Sequence, residues 1–258
     1  MQQQAVVAEQ FGNTASAYLT SSVHAQGADL AMLRAMAAAL PKRPVVLDLG
    51  CGAGHAGFAV APVAESVTAY DLSPEMLAVV AGAARERGLD NLVTRQGDVA
   101  ALPFADASFC MVVTRFSAHH WLDVPAALRE IKRVLKPRGV AIIIDITAPE
   151  TPLHDTTLQA VELLRDASHV RDYRPSEWLR MLGDAGFKAE RVNDWKLEMQ
   201  FDEWTARMRT PAERVTAIRS LLHSAPQETR DYFAVQSDDS FTIDSTLFKA
   251  KHDFGDIY

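Results

Sequence analysis

The sequence predicts an α/β fold in which a mostly parallel sheet lies between two layers of helices. Three observations support this prediction. Five short apolar runs alternate with helical stretches between residues 45 and 146, as expected for parallel strands joined by right-handed crossovers. The first run is followed by a turn that has a glycine at every second position, residues 50–54. Acidic residues then follow the second and third runs, at Asp71 and Asp98.

Residues 1–40 are predicted to form an N-terminal helical segment. Residues 5–40 have helical character with a break near Gly12-Asn13, and the alanine- and leucine-rich helix Ala28–Leu40 is ended by Pro41. A core follows over residues 41–150. Its predicted strands are Val45–Leu49, Val67–Tyr70, Leu92–Gln96, Phe109–Thr114 and Val140–Ile146.

Cap residues place the helices of this core. Ser73 is a predicted N-cap with Pro74 at the first helical position, and Gly88 ends that helix after Arg87. The other two predicted helices are His55–Ala64 and Pro125–Val134. Lys136-Pro137-Arg138-Gly139 is predicted to turn into the fifth strand.

Residues 151–258 are predicted to complete the same single domain. A helix at Pro175–Ala185 precedes two further strands, Lys188–Met199 and Phe241–Lys251. The segment between these strands, about residues 200–235, has helical character. We expect it to be a helical insertion that covers the ligand-binding edge of the sheet.

Composition argues against several classes of function. The 258 residues carry a net charge of −7 without a basic block, which argues against a nucleic-acid partner. No apolar run approaches the roughly 20 residues that span a membrane, and the N-terminus does not resemble a signal peptide. Cys51 and Cys110 are isolated, so we expect no metal site and a cytoplasmic protein. The sequence indicates no oligomeric state.

The glycine turn and the two acids predict a nucleoside site at the carboxyl edge of the sheet. Glycine permits positive φ and lets a ligand lie against bare backbone. Asp71 follows the turn by about 20 residues, where a carboxylate in nucleotide-binding folds accepts hydrogen bonds from ribose hydroxyls. Asp98 is placed to accept from an adenine amino group, while the next backbone N–H meets a ring nitrogen. The alternative for each acid is a structural cap or turn.

Five segments in order resemble the class I S-adenosylmethionine-dependent methyltransferases, of the small-molecule group that includes ubiquinone and menaquinone biosynthesis. They are VLDLGCGAGH, YDLSPEML, GDVAALPFADASF, RFSAHHW and LKPRG. The turn reads D-x-G-x-G-x-G, whereas nicotinamide enzymes carry G-x-G-x-x-G. The resemblance covers residues 5–150 well and weakens beyond about residue 190. It implies a three-layer αβα Rossmann-like sandwich with a seven-stranded, mostly parallel sheet and an antiparallel last strand.

The resemblance implies S-adenosyl-L-methionine as the cofactor and S-adenosyl-L-homocysteine as its product. The methyl group would pass by in-line displacement to O, C or N of a small molecule. The implied cofactor-binding residues are Tyr18 in the N-terminal lid; Asp48, Gly50, Cys51, Gly52 and Gly54 at the methionine part; Asp71, Leu72 and Met76 at the ribose and adenine; Asp98 and Val99 at the adenine edge; and Arg115 and Ser117 near the sulfonium. Phe11 and His24 are further candidates for the lid, which is implied to fold over the cofactor.

Residues beyond the cofactor motifs suggest how an acceptor is handled. His119 and His120 follow the fourth strand and are candidate general bases, because histidine titrates near neutral pH. His119 is the preferred candidate, and packing or capping is the alternative for both. A polar cluster that would suit an acidic acceptor comprises Arg165, His169, Arg171, Tyr173 and Arg174. Trp204 and Met208 are candidates for the acceptor pocket or for helical core packing.

Three other functions stay open at this point. The first is binding of the cofactor without transfer of a methyl group. The second is nicotinamide-dependent oxidoreduction by a protein with a similar sheet. Methylation of RNA or protein is the third. The negative charge argues against RNA, and no Asn-Pro-Pro-Tyr motif follows the fourth strand, which argues against methylation of base or glutamine amino groups.

Overall fold

The computed structural model describes residues 2–12 and 27–253 of the chain. Seven strands of these residues form one sheet in the order β3-β2-β1-β4-β5-β7-β6. Their bounds are β1 Val45–Leu49, β2 Ser66–Asp71, β3 Leu92–Gln96, β4 Phe109–Arg115, β5 Leu135–Thr147, β6 Phe187–Met199 and β7 Phe241–His252. Strands β1 to β5 pair in parallel, and β7 runs antiparallel to both β5 and β6. The predicted sheet with an antiparallel last strand is confirmed.

Ten α-helices are present in the described residues. They are α1 Gln3–Gly12, α2 Ala28–Ala38, α3 His55–Val60, α4 Pro74–Glu86, α5 Val124–Val134, α6 Pro152–Arg165, α7 Pro175–Asp184, α8 Phe201–Arg207, α9 Ala212–Ser224 and α10 Gln227–Tyr232. Helices α4 and α5 have side-chain N-caps. Ser73 and Asp123 accept hydrogen bonds from Met76 N and Ala126 N, respectively.

The sheet buries both faces, which makes the fold a three-layer sandwich. Side chains alternate between the faces along β5, so that Ala141 and Ile143 pack against α5 and α7. Ile142 and Ile144 lie on the opposite face, in the core that also holds Leu33 of α2 and residues of α3 and α4. Parallel strands covered on both faces are continuously apolar, which explains the apolar runs in the sequence.

The predicted insertion lies between β6 and β7 as three short helices, α8 to α10. It has a core of its own, in which Trp204, Ile218 and Phe241 are buried together with Leu158 of α6. This third core includes Ile146 near the end of β5 and Ala148 just after the strand. The insertion therefore covers the carboxyl end of β5, at the edge where the ligand site was predicted.

Two elements differ from the sequence prediction. Helix α6 was not predicted, although Pro152 stands at its first turn. Strand β5 begins at Leu135 instead of Val140, with a register shift opposite Phe109 and Met111, so the predicted turn Lys136–Gly139 lies inside the strand. The break near Gly12-Asn13 borders residues outside the described part of the chain.

Burial predicts unequal costs for two truncations in the sheet. Ile143 is 1% exposed in the centre of the sheet, between Thr114 of β4 and Phe248 of β7, whereas Val93 on the edge strand β3 is 58% exposed. Ile143→Ala is expected to lower the free energy of unfolding by about 2–5 kcal/mol. Val93→Ala should cost less than about 1 kcal/mol. Urea unfolding followed by circular dichroism measures both, and equal losses would contradict this account of the core.

Candidate active site

The principal cavity of the described residues lies at the carboxyl ends of β1 to β4 and has a volume of about 320 Å³. Helix α1 lies across it, since Gln3, Gln4, Val7 and Phe11 are part of its wall. The sequence-predicted site residues in the wall are Asp48, Gly50, Cys51, Gly52, Asp71, Leu72, Met76, Asp98, Val99, Arg115, Ser117 and His120. We call this space the main cavity.

The main cavity has a wall of bare backbone at the glycine turn. Gly50 and Gly52 have φ of 65° and 50°, in the left-handed region that favours glycine. A Cβ atom at Gly50 would lie 2.0 Å from Oγ of Ser117, so only glycine fits there. A Cβ at Gly52 would meet nothing within 4 Å, because this residue faces the open cavity. The turn thus leaves room for a ligand to lie directly against the main chain.

Gly54 does not line the main cavity, unlike the other two glycines of the turn. It is the N-cap of α3 with φ of 84°, and a Cβ atom there would lie 3.0 Å from side-chain atoms of Phe58 and Val80. Its observed role is close packing between α3 and α4. Its predicted position beside the methionine part of a cofactor stays a prediction.

Asp71 is held against the glycine turn. Its Oδ2 accepts a hydrogen bond of 2.8 Å from Gly52 N, and its Oδ1 accepts one of 2.9 Å from Ser73 N. Burial raises the pKa of Asp71, and the backbone donors oppose this rise. Each carboxylate oxygen has a second lone pair. The carboxylate is therefore fixed in place and can still accept from a diol.

Asp98 already accepts an amide hydrogen in this structure. Its Oδ1 accepts from Ala100 N at 2.9 Å, and its Oδ2 accepts from Nε2 of Gln4 on α1 at 2.6 Å. The hydroxyl of Tyr70 donates to the Asp98 carbonyl at 3.1 Å. A side-chain amide N–H is the same type of donor as the amino group of adenine. The contact therefore fits the predicted use of Asp98, and no sequence pattern indicates that Gln4 reaches it.

Asp48 is a buried acid at the floor of the main cavity. Its Oδ2 accepts from Gly57 N at 2.7 Å. Burial and the charge of Asp71 raise the pKa of Asp48 to about 7, although the Gly57 hydrogen bond and Arg115 act in the opposite direction. Arg115 forms an ion pair with Asp29 at the start of α2. Asp48 is thus a carboxyl group whose charge changes near neutral pH.

His119 is fixed by a buried carboxylate. Its Nδ1 lies 2.6 Å from Oδ1 of Asp145, a residue of β5 that is 1% exposed. Asp145 also accepts from the backbone N of Ala118 and Ile146, each at 2.8 Å. Burial lowers the pKa of His119, but Asp145 outweighs this effect and raises it to about 9. At neutral pH His119 is therefore an imidazolium that donates to Asp145.

His120 is in the opposite electrostatic state. Its Nδ1 lies 3.1 Å from the Ser168 carbonyl oxygen, which can only accept, so Nδ1 carries the hydrogen and Nε2 the lone pair. Burial and the positive charge of His119 lower the pKa of His120 to about 4. The ring of Phe11 contacts it edge-on, with centroids 4.8 Å apart. His120 is therefore a neutral imidazole with a fixed tautomer.

A smaller cavity of about 70 Å³ adjoins the main cavity, and three residues line both: Phe11, Phe116 and His120. Its other walls come from β5 to β7, α6, α8 and the loop after α6: His119, Ile146, Glu162, Arg165, Asp166, Asp172, Leu197, Met199, Trp204, Arg207 and Ile243. His119 thus lines only this small cavity. Trp204 lies in its wall, whereas Met208 does not, and Met208 is buried among other residues.

The predicted polar cluster after α6 separates into two parts. Arg165 lines the small cavity, but Arg171 and Arg174 pair with Asp155 at 3.1 Å and 2.7 Å. His169 donates through Nε2 to Gln159 Oε1, 3.1 Å away. The cluster therefore does not act as one anion-binding surface. Tyr18 and His24, predicted for the lid, lie outside the described residues.

The described residues contain neither a group of metal ligands nor a membrane-spanning helix. Over 2–12 and 27–253, no three His, Cys, Asp or Glu side chains come together as ligands of a metal ion. Over the same ranges, no helix has the length and apolar character needed to cross a membrane.

A parallel sheet with a glycine turn and two acids at successive strand ends defines a Rossmann-like α/β protein. A family model described as a methyltransferase domain matches residues 47–143. The chain belongs to the class I S-adenosylmethionine-dependent methyltransferases. S-Adenosylmethionine is thus the methyl donor, and the nicotinamide alternative is not supported.

Relatives extend the likeness beyond the matched domain. The uncharacterized protein YafE of Escherichia coli K12 is 48% identical over 201 residues, covering 78% of this chain and 97% of YafE. The uncharacterized methyltransferase YcgJ of Bacillus subtilis is 37% identical over 87% of this chain and 88% of its own length. The crystal structure of YcgJ superposes with a TM-score of 0.83 over 88% of this chain and 98% of YcgJ. The demethylmenaquinone methyltransferase of Chlorobaculum parvum is 37% identical over 43% of this chain and 45% of its own length.

The open space at Gly52 predicts a selective loss of cofactor binding. Gly52→Ala places a methyl group in the cavity, and we expect the affinity for S-adenosylhomocysteine to fall about tenfold, measured by calorimetry. Gly82→Ala is the matched control, because Gly82 lies in α4 with open space around it. This change should raise the free energy of unfolding by about 0.5–1 kcal/mol and leave the affinity unaltered. Equal affinities of the wild type and Gly52→Ala would contradict a ligand lying on this backbone.

The raised pKa of Asp48 predicts a pH-dependent stability. The folded chain retains the Asp48 proton up to about pH 7, whereas the unfolded chain loses it near the ordinary value of 3.8. Stability therefore falls as pH rises through this interval, because the ionised form is disfavoured in the fold. Asp48→Asn should be more stable than the wild type by about 2–4 kcal/mol above pH 7, with the difference vanishing near pH 4. Urea unfolding across this range measures it, with the exposed Asp90→Asn as the control for removal of one negative charge.

Proposed function

We propose that the enzyme methylates a small molecule that enters the small cavity, and that His120 accepts the proton which the acceptor loses. One observation carries this proposal. His120 lines both cavities and has its Nε2 lone pair free of the Ser168 hydrogen bond. A general base must lie within reach of both the acceptor and the methyl donor, and the shared wall of the two cavities is such a position.

The main cavity fits the methyl donor. Its volume of about 320 Å³ falls in the range of small-ligand sites. We propose that Asp71 holds the ribose hydroxyls, that Asp98 accepts from the adenine amino group in place of Gln4, and that the backbone at Gly52 lies along the methionine part. Arg115 and Ser117 line this cavity on either side of Phe116, which lines both cavities. When bound, S-adenosylmethionine supplies an electrophilic methyl group on a positively charged sulfur.

The available lone pair of His120 favours it over His119 as the base, while the charge of His119 weakens the basicity of His120. His119 is charged at neutral pH and donates through Nδ1 to Asp145, so it has no lone pair to offer. His120 is neutral, and the Ser168 carbonyl fixes the orientation of its ring. The preference for His119 drawn from the sequence is therefore replaced by a preference for His120.

The enclosed shape of the small cavity supports a small acceptor. Helix α1 and the insertion cover it, so a protein or a folded RNA would reach it only through an extended group. The net charge of −7 argues against RNA as well. The Chlorobaculum parvum relative is a demethylmenaquinone methyltransferase, which is consistent with this class. The free cysteines, Cys51 and Cys110, support a reducing cytoplasmic location.

Replacement of His120 tests the proposal. His120→Gln is expected to slow methyl transfer by about 100-fold, the ordinary contribution of a general base, while the affinity for S-adenosylhomocysteine changes by less than about threefold. Transfer is measured with methyl-labelled S-adenosylmethionine and the low-molecular-mass fraction of a cell extract. His223→Gln is the control, because His223 is exposed in the insertion and pairs with Asp239.

Two results would contradict this proposal. Normal transfer by His120→Gln would remove the base role. Label that appears only in protein or RNA, when whole extract is supplied, would overturn the small-molecule acceptor.

A further inference from the structure

We propose that His119 and Asp172 form an oxyanion-binding site in the small cavity, which takes a phenol or an enol by its oxygen atom. The inference rests on the proposed function of this cavity as the acceptor site. It names two specificity-determining side chains and the chemical class of acceptor that they select.

Asp172 has an open carboxyl group in a buried position. Its side chain is 1% exposed, and its Oδ2 has no hydrogen-bond partner in the part of the chain that the structure describes. The nearest ring nitrogen, Nε2 of His169, is 3.8 Å away. The backbone of Asp172 is bonded to Gln159 through both N and O, at 3.2 Å and 2.8 Å. The residue is thus held in place in the wall of the cavity, with one carboxyl oxygen buried and unbonded.

His119 presents its second nitrogen to the same cavity. Its Nδ1 is engaged by Asp145, and no described residue makes a hydrogen bond to its Nε2. An imidazolium carries a hydrogen on both nitrogens, so Nε2–H is a charged donor. Asp145 holds the ring in a fixed orientation through its contacts with β5 and with the turn after β4.

Apart from Asp172, the charges at the cavity balance, with three carboxylates against three cations, so the ionisation of Asp172 decides whether an anion is repelled. Two other carboxylates of its wall have partners: Glu162 lies 3.4 Å from Arg165, and Asp166 accepts from N and Oγ of Ser168. Asp145 behind the wall is bonded to His119. Positive charge comes from His119 and two arginines of the wall.

The surroundings of Asp172 favour the neutral form of its carboxyl group. Burial raises the pKa of Asp172 well above its ordinary range, and Glu162 and Asp145 add to the rise, whereas His119 and Arg171 oppose it. A carboxylic acid kept neutral in this way donates a hydrogen bond through its O–H. Asp172 and His119 therefore offer two acidic hydrogens and one positive charge to the same small space.

The N–H of His119 and the O–H of Asp172 would stabilise an oxygen atom that carries negative charge or acquires it during the reaction. The rest of the wall includes Phe116, Ile146, Trp204 and Ile243, which are apolar and would pack against a conjugated skeleton. A phenol or enol combines such a skeleton with an oxygen that ionises, and its proton would pass to Nε2 of His120. An amine acceptor would instead need an ionised Asp172 and would meet the positive charge of His119.

The ionisation of a bound probe tests the inference directly. Para-nitrophenol absorbs visible light only as its phenolate, so a pH titration with the S-adenosylhomocysteine complex reports the state of the bound probe. We expect the pKa of the bound probe to lie at least about one unit below that of free probe, which is a tenfold preference for the oxyanion. Dimedone, an enol, should compete with it. Benzylamine provides the cationic comparison.

Two isosteric variants assign the effect to Asp172. Asp172→Asn keeps an N–H donor and should retain the preference within about threefold. Asp172→Leu removes the donor and should weaken phenolate binding about tenfold or more. Unchanged affinity of both variants for S-adenosylhomocysteine shows that the cofactor site is intact. The wild-type titration decides the question even where Asp172→Leu does not fold.

Three outcomes overturn the inference: an unshifted pKa of the wild-type-bound probe, tighter binding of benzylamine than of either oxygen acid, or equal phenolate binding by the wild type and Asp172→Leu. Failure of the proposed function looks different. If phenolate binds as expected while His120→Gln transfers methyl groups normally, the base assignment fails and the oxyanion site stands.

Discussion

The site depends on the register of the parallel strands, whose carboxyl ends lie side by side at one edge of the sheet. In register, Leu49 of β1 lies beside Tyr70 of β2, so the chain after each strand emerges at the same edge of the sheet. The backbone N–H groups of Gly50 and Cys51 then both reach the Tyr70 carbonyl, at 2.8 Å and 3.0 Å. This places Asp71 beneath the turn, where Gly52 donates to it. A sheet out of register by one residue would separate the turn from its acid.

A second constraint is the cost of burying charge beside this edge. Asp145 sits in a continuous apolar run of β5 and is stabilised by two backbone donors and by His119. The resulting imidazolium suppresses protonation of its neighbour His120, whose ring centroid is 4.2 Å away. One buried carboxylate thus sets the states of two adjacent histidines in opposite directions. The difference between a donor and a base at this position follows from electrostatics, since the two side chains are chemically identical.

Local chemistry explains what was predictable from the sequence. Strand β1, the N-cap Ser73 and the acids Asp71 and Asp98 are defined by short-range patterns, and the structure has them where they were expected. The role of Gly54, the tautomer of His120 and the small cavity were not predictable. Each depends on groups distant in sequence: Val80 for the glycine, Ser168 for the imidazole, and the missed helix α6 for the cavity wall.

Helix α1 joins the two halves of the site, and this shapes how the enzyme must work. Gln4 bonds to Asp98 at the adenine end, and Gln3 donates at 2.6 Å to the same Ser168 carbonyl that orients His120. Phe11, near the end of the helix, rests on His120 itself. A ligand that displaces Gln4 from Asp98 therefore acts on the helix that also holds the proposed base. Because this one helix contacts both Asp98 and His120, displacement of Gln4 by the proposed donor is expected to alter the packing of Phe11 on the proposed base.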